Sequence, residues 1–358
     1  MIIEVLSPIH IGTGESVDNV CYHESNNEIF RYEYADVMQT IPLEKMLDDK
    51  LLRKISLKQT SNEEVSNLLY SYVDYRKIKP IYKLSNINAI HYGDVDEQIK
   101  TMNRPYIPGS SIKGAILHSL LYSIIKENYH KLNIEKFLLE KGRRNLTLPD
   151  IFIYILDGDR ELFNRLSNCL VCEDLYFNKL FININIRINV GKDQGDMDLP
   201  DSEAILPKDK CESNLFSINK NKVDFYLENL NPSLKNKIYY WFNEERIMQA
   251  INEFTKDMIE VEKELSFYNK DIIDQLNKLN EKLKDTTILR IGKYTNYYEK
   301  SISILVKKNN RRFYEENYDL IFSPTRPKKS NKKTMPKTRT ISILDGKECL
   351  PGYLGITR

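Results

Sequence analysis

Tyr106-Ile107-Pro108-Gly109-Ser110-Ser111-Ile112-Lys113-Gly114-Ala115-Ile116-Leu117 is the stretch that sets the architecture of this chain. It opens with a turn, because Pro108 fixes φ and Gly109 permits φ > 0. Ser110 or Ser111 is placed to cap a helix by accepting a backbone N–H of its first turn. From Ile112 onward the apolar residues fall at 112, 115, 116, 120, 121 and 124, one face of a helix. The predicted helix start offers N–H groups, two hydroxyls, Lys113 and the bare Gly114, a combination that suits a phosphate. It is not a Walker loop, since the order Gly-x-x-x-x-Gly-Lys-Ser/Thr is missing. Taken alone, an ordinary capped helix explains the segment equally well.

Three further segments share its character. Leu6-Ser7-Pro8-Ile9-His10-Ile11-Gly12-Thr13-Gly14 runs an apolar strand into a glycine turn, and Leu289-Arg290-Ile291-Gly292-Lys293 and Leu350-Pro351-Gly352-Tyr353-Leu354-Gly355 follow late in the chain. Around Gly292, the cations Arg290 and Lys293 interleave with Tyr294, Tyr297 and Tyr298. Such a mixture lets bases stack while cations hold phosphates, without sequence readout.

In this order the four segments resemble the RAMP superfamily of CRISPR-associated proteins, and within it the fifth subunits of type III-A (Csm) effectors. The resemblance implies an α+β protein of two ferredoxin-like (RRM-like) domains with an inserted helical hairpin. It implies a non-catalytic subunit that binds CRISPR RNA, caps its 3′ end and helps mature it in antiviral defence. Adjacent backbone subunits and host nucleases are the implied protein partners; no cofactor or metal is implied. The RNA-binding residues that follow are His10, Gly12, Gly14, Gly109, Ser110, Ser111, Lys113, Gly114, Arg290, Gly292, Lys293 and Tyr294, with Lys328, Lys329, Lys332 and Lys333 of the basic run described below. The alternative is a metal-independent repeat endoribonuclease using His10.

Composition bounds these readings. The 358 residues suffice for two domains with cores, and 41% hydrophobic content is ordinary for a soluble globular protein. No apolar run approaches a membrane span, and Met1-Ile2-Ile3-Glu4-Val5 enters a strand without a basic signal region, so a cytoplasmic location is expected. Five scattered cysteines make no disulfide framework. The net charge of +2 hides an asymmetry: residues 286–358 carry +10 and residues 1–285 carry −8. A basic C-terminal part is the electrostatic footprint of a phosphate-backbone binder.

Along the chain, residues 2–35 read as strands with Asn26-Asn27 as a hairpin turn. Residues 42–79 read as helical, 104–127 as strand, turn and helix, and 170–177 and 181–188 as strands. Residues 191–213, rich in Gly, Asp and Pro, read as an exposed insertion. The first domain is expected over 1–228 and a helical insertion over 229–285. Strands over 286–358 would then complete the second domain. Ile247, Ile251, Phe254, Met258, Val261, Leu265, Tyr268 and Ile272 form a heptad seam, expected to fold as a hairpin on the chain's own body because Ser266 and Asn269 interrupt it. Residues 324–340 hold seven basic residues, three prolines and no acid, and are expected to be mobile until a polyanion orders them.

Other chemistry is weaker. Cys169-Leu170-Val171-Cys172 lacks the second pair a zinc site needs, so structural thiols are expected. His10 has the pKa range for acid–base catalysis, but its expected role is packing at a strand end. Asp18 could assist a metal in cutting RNA only with a second carboxylate, so a turn role is expected.

Overall fold

The computed structural model describes residues 1–47, 68, 70–88, 93–141, 147–189, 196–295, 302–317 and 338–358. The first strands are β1 (Ile2–Val5), β2 (Gly12–Val17), β3 (Tyr22–Ser25), β4 (Glu28–Arg31), β5 (Tyr82–Ser85) and β6 (Val95–Gln98). A hairpin of β7 (Lys100–Thr101) and β8 (Arg104–Ile107) then leads through Pro108 into helix α1 (Gly109–Glu127). Asn26 and Asn27 join β3 to β4 with φ of 52° and 64°, the left-handed pair that matches the twist of a two-residue hairpin. Met102 and Asn103 repeat this between β7 and β8 with φ of 50° and 63°. Nothing in a methionine signals such a turn, so only Asn103 gave a clue.

The middle of the chain adds β9 (Leu170–Cys172), β10 (Leu175–Tyr176), β11 (Leu180–Asn189), β12 (Met197–Asp198), β13 (Asp201–Ile205), β14 (Lys210–Glu212) and β15 (Phe216–Ile218). Helices α2 (Pro232–Trp241), α3 (Glu244–Lys263) and α4 (Lys270–Lys282) follow, then β16 (Thr287–Arg290), β17 (Thr338–Leu344), β18 (Lys347–Cys349) and β19 (Tyr353–Thr357). One sheet has the order β14-β1-β19-β16. The larger one has the order β2-β6-β13-β11-β5-β4-β3, with β17 paired to the second half of β11. Both sheets therefore draw strands from both sides of residue 228, since β1 pairs with β19 and β11 with β17.

The heptad residues Ile247, Ile251, Phe254, Met258 and Val261 are buried along α3, and Ile272, Leu276 and Leu279 along α4. The chain breaks between them, and Asn269 caps α4 by accepting the Ile272 N–H at 3.1 Å. The seam packs on α1, β16 and β18 of the same chain. Each fully buried aliphatic side chain contributes about 1.5–3 kcal/mol, enough to make this face part of the core.

Several expectations change. The glycines Gly12 and Gly14 lie within β2, an edge strand, where the register against β6 shifts between Gly12 and Ser16. A bulge, not a turn, uses the φ of +95° at Gly14. Residues 201–205, expected to be exposed, form the fully buried β13. Polar residues survive there because Glu203 finds partners: Tyr82 Oη donates to it at 2.5 Å, Tyr22 Oη at 3.1 Å, and Lys100 pairs with it at 2.5 Å. Between β16 and β17 the chain forms short helices at Ser303–Asn309 and Arg311–Glu316, where only strands were expected. Of the basic run, Thr338–Thr340 belong to β17, with Arg339 buried and paired with Glu262 at 3.3 Å. A charge at this depth is tolerated only because a carboxylate meets it. Residues 324–337, with Lys328, Lys329, Lys332 and Lys333, lie outside the described residues, as do Tyr297, Tyr298 and, of the helical reading of 42–79, residues 48–67 and 69.

Candidate nucleic-acid interface

Backbone hydrogen bonds knit the separated glycine segments together. The Lys293 N–H donates to the His10 carbonyl at 2.9 Å, the Ile291 N–H to the Gly352 carbonyl at 2.7 Å, and the Gly352 N–H to the Pro8 carbonyl at 2.8 Å. Such close approach needs bare α-carbons. Gly292 has a φ of +119°, and a Cβ there would stand 3.0 Å from the His10 carbonyl oxygen.

Between these segments and the side of α1 lies a cleft of about 520 Å³. One wall is Ser111, Gly114, Ala115, His118 and Ser119, which fall at i, i+3, i+4, i+7 and i+8 on a single helix face. Gly12 and Gly14 of the bulged strand form the opposite rim, and residues 290–293 with Thr295 close the end. Phe254 of α3 reaches the floor. A Cβ on Gly114 would touch nothing within 4 Å, so this glycine leaves open space in the cleft. The cleft therefore gathers Gly12, Gly14, Ser111, Gly114, Gly292 and Lys293, which lie up to about 280 residues apart in sequence.

Other sequence-derived candidates fall elsewhere. The start of α1 is not open to a ligand anion: its N-cap is Pro108, and the Gly109 N–H donates to Asp174 Oδ1 at 2.7 Å. The chain's own carboxylate thus takes the place expected for a phosphate, and neither Ser110 nor Ser111 caps the helix. Gly109 is needed for another reason, since a Cβ there would overlap the Cys172 carbonyl. Ser110 is exposed beside it, and Lys113 turns to Asn168, whose Oδ1 is 3.4 Å from Nζ. Arg290 lines the cleft but buries its guanidinium. Its Nε donates to the Pro351 carbonyl at 3.1 Å, Nη1 lies 3.8 Å from Glu262, and the group covers the Tyr353 ring. The expectation that Arg290 offers its charge to a phosphate does not fit this placement. Lys293 is half exposed and pairs with Asp96 at 2.6 Å. Tyr294 also donates to Asp96, at 2.9 Å, and stacks on His10 with centroids 5.8 Å apart.

His10 is buried. Its Nδ1 donates to the Glu203 carbonyl at 2.7 Å, because a carbonyl can only accept. Burial pulls its pKa down to about 4, so the ring is neutral at physiological pH. Nε2 faces Gly12, whose Cβ position lies 2.9 Å away, and has no hydrogen-bond partner. Asp18 caps a short helical turn by accepting the Val20 N–H at 2.9 Å. All five cysteines are free thiols, and Cys169 Sγ donates to the Arg165 carbonyl at 3.3 Å. Among the described residues no group of His, Cys, Asp or Glu is arranged to hold a metal ion, and no helix is long and apolar enough to cross a membrane.

His118, Phe254 and Asp174 escaped the sequence reading. His118 was legible only as the i+4 and i+7 neighbour of Gly114 and Ser111. Phe254 belongs to the heptad seam and merely ends at the cleft. Asp174 is distant in sequence from the helix it caps.

Known proteins resemble this chain in sequence and in fold. The chain is similar to the CRISPR system protein Csm5 of Methanocaldococcus jannaschii, 23% identical over 99% of this chain and 87% of that protein. In fold it resembles a chain in a cryo-EM structure of a type III-A Csm–crRNA–target RNA ternary complex, with a TM-score of 0.67, 19% identity and coverage of 99% of this chain and 98% of that one. It also resembles the crystal structure of Csm5 from T. onnurineus, with a TM-score of 0.61, 18% identity and 99% coverage of both chains. The RAMP superfamily model matches residues 2–297, across β1, the bulged strand, α1 and the Gly292 loop, and the chain belongs to the RAMP superfamily.

Proposed function

We propose that this chain is a non-catalytic RNA-binding subunit of a type III-A CRISPR effector. It caps the 3′ region of the CRISPR RNA, docks on the adjacent backbone subunit and helps mature the guide, with host nucleases as further partners. The observation that carries the reading is the convergence of Gly12, Gly14, Gly114 and Gly292 on one cleft beside Lys293. Bare backbone at a bulged edge strand lets a phosphodiester chain approach closely, as backbone N–H groups can hold its oxygens. In this reading Lys293 at the cleft, Lys113 away from it, and Lys328, Lys329, Lys332 and Lys333 of the basic run supply sequence-independent phosphate contacts. In the same reading residues 1–228 form one ferredoxin-like unit with insertions, 229–285 the helical insertion, and 286–358 the strands that complete a second unit, the two sharing strands across both sheets. A guide varies in sequence, so contacts to backbone and to base faces suit the task better than base-edge readout.

The enzyme alternative finds little support in the site. His10 is neutral, donates to a backbone carbonyl and has its second nitrogen shut behind Gly12. A general base needs that nitrogen within reach of a substrate proton.

The test is a salt titration of RNA affinity with the full chain. We expect weak, sequence-independent binding that falls steeply with salt, and a flatter slope when Lys328, Lys329, Lys332 and Lys333 are changed to Gln. Strong preference for one repeat hairpin, or cleavage abolished by His10→Ala, would overturn this reading.

A further inference from the structure

We infer that Asp96 is a built-in counter-anion that tempers the grip of the cleft rim on RNA: its carboxylate already holds the donors of Lys293, Tyr294 and Ser16, so a phosphate must share them. This rests on the RNA-binding reading and adds how the strength of that site is set. The three donors come from separate stretches of chain. Lys293 Nζ lies 2.6 Å and Tyr294 Oη 2.9 Å from Asp96 Oδ2, and Ser16 Oγ donates to Oδ1 at 3.0 Å. Ser16 belongs to the bulged strand β2, and Asp96 stands opposite it on β6. The other two follow Gly292, in a loop that the Lys293 N–H fixes to the His10 carbonyl. An ammonium and two hydroxyls converging on one point form a donor set suited to a phosphate oxygen, and here a carboxylate takes that place.

Burial alone would raise the Asp96 pKa, but the bonds from Lys293, Tyr294 and Ser16 bring it below its ordinary value, so the group is charged at neutral pH. The Asp96 side chain is 15% exposed, whereas that of Lys293 is 50% exposed. The ammonium has three donors, so one stays with Asp96 while the others face solvent and an incoming strand. A phosphate held there meets a like charge across the shared ammonium. Two unit charges about 6 Å apart near water, at an effective ε of about 40–80, repel enough to change affinity roughly threefold to tenfold. The pair adds almost no net charge to the rim, so a strand is retained only where contacts elsewhere along its path add to this one. If Asp96 were only a tie for the Gly292 loop, the opposite would hold: its loss would loosen Lys293 and weaken binding.

The experiment measures the affinity of the full chain for a single-stranded oligouridylate over a salt series, in the wild type, Asp96→Asn, Lys293→Ala and the double variant. Asparagine keeps the shape and a carbonyl acceptor for the hydroxyls but loses the charge. Asp96→Asn should bind roughly threefold to tenfold more tightly at low salt, with a slope steeper by up to about 0.7, the value of one single-strand contact. Asp96→Ser, which sets no amide against Lys293, should show the same gain. In the Lys293→Ala background the gain should shrink below about twofold, because the carboxylate acts through that ammonium. A gain that persists in full there would make Asp96 one more surface charge, and unchanged or weaker binding in both Asp96 variants would make it a structural tie. Either result overturns the inference while the RNA-binding reading stands. If no variant binds RNA at low salt, both fall.

Discussion

At the scale of single residues, Arg290 and Lys293 show how two cations three positions apart take different work. Arg290 is fully buried against Glu262, and its loss costs up to about 3–5 kcal/mol, less the share that Arg339 still supplies to the carboxylate. Arg290→Met should therefore lower the melting temperature by several degrees, whereas Lys293→Ala, losing a half-exposed pair worth under about 1 kcal/mol, should melt nearly as the wild type. Only Lys293→Ala should weaken RNA binding by a similar factor across all sequences, with a salt slope reduced by about one contact. Melting curves and titrations on the two variants separate these roles, and the reverse assignment would refute them. His10 makes a prediction about pH. The unfolded chain takes up a proton below the ordinary value of 6.5, but folded His10 does so only near 4. Between those values the unfolded state binds more protons, so stability should fall as pH drops through this window, by up to roughly 3 kcal/mol for this group. Denaturant titrations at pH 7 and pH 4.5 should show the loss, and a His10→Asn variant should show less of it.

At the scale of elements, the start of α1 matters most. Spacing of apolar residues was enough to place this helix because that signal is local, whereas the turn expected at Pro108-Gly109 is the helix start itself, with Pro108 as N-cap and Gly109 as the first helical residue. Its capping was not legible, since Asp174 reaches the Gly109 N–H from a strand connection some 65 residues away. Asp174→Ala should cost about 1 kcal/mol, the usual value for a lost cap, or about 1 °C in a chain of this size. Gly109→Ala should cost more, because its Cβ meets the Cys172 carbonyl, a backbone atom that cannot swing away. Thermal melts of the two variants give the comparison, and equal melting temperatures would show that the strand connection yields. The bulge in β2 follows the same logic. Its glycines were visible in the sequence, but a bulge and a turn ask for the same residues, and only pairing with β6 distinguishes them.

At the scale of the molecule, the two ends of the chain close one sheet. β19 lies between β1 and β16, with Tyr353, Leu354 and Ile356 buried in the core. Deleting residues 353–358 should expose two strand edges and leave no cooperatively folded protein, whereas removing Arg358 alone, whose pair with Glu244 is exposed, should be tolerated. Circular dichroism melts and limited proteolysis would decide this, and a cooperative transition in the longer deletion would refute the pairing. The sequence by itself determined the local elements of this protein: the Asn26-Asn27 hairpin, α1, β11, the heptad seam and the four glycine segments that mark its family. Those signals are short in range, written in periodicity and in residues whose φ is constrained. Tertiary structure alone decided which segments meet. It buried Asp201–Ile205 because Tyr22, Tyr82 and Lys100 converge on Glu203, turned Arg290 inward because Glu262 waits there, and placed His118 in the cleft opposite Gly12 and Gly14. A polar side chain carries no mark of whether it will find a partner or water. That is settled by contacts between residues from about thirty to about 180 positions apart, which no local pattern records.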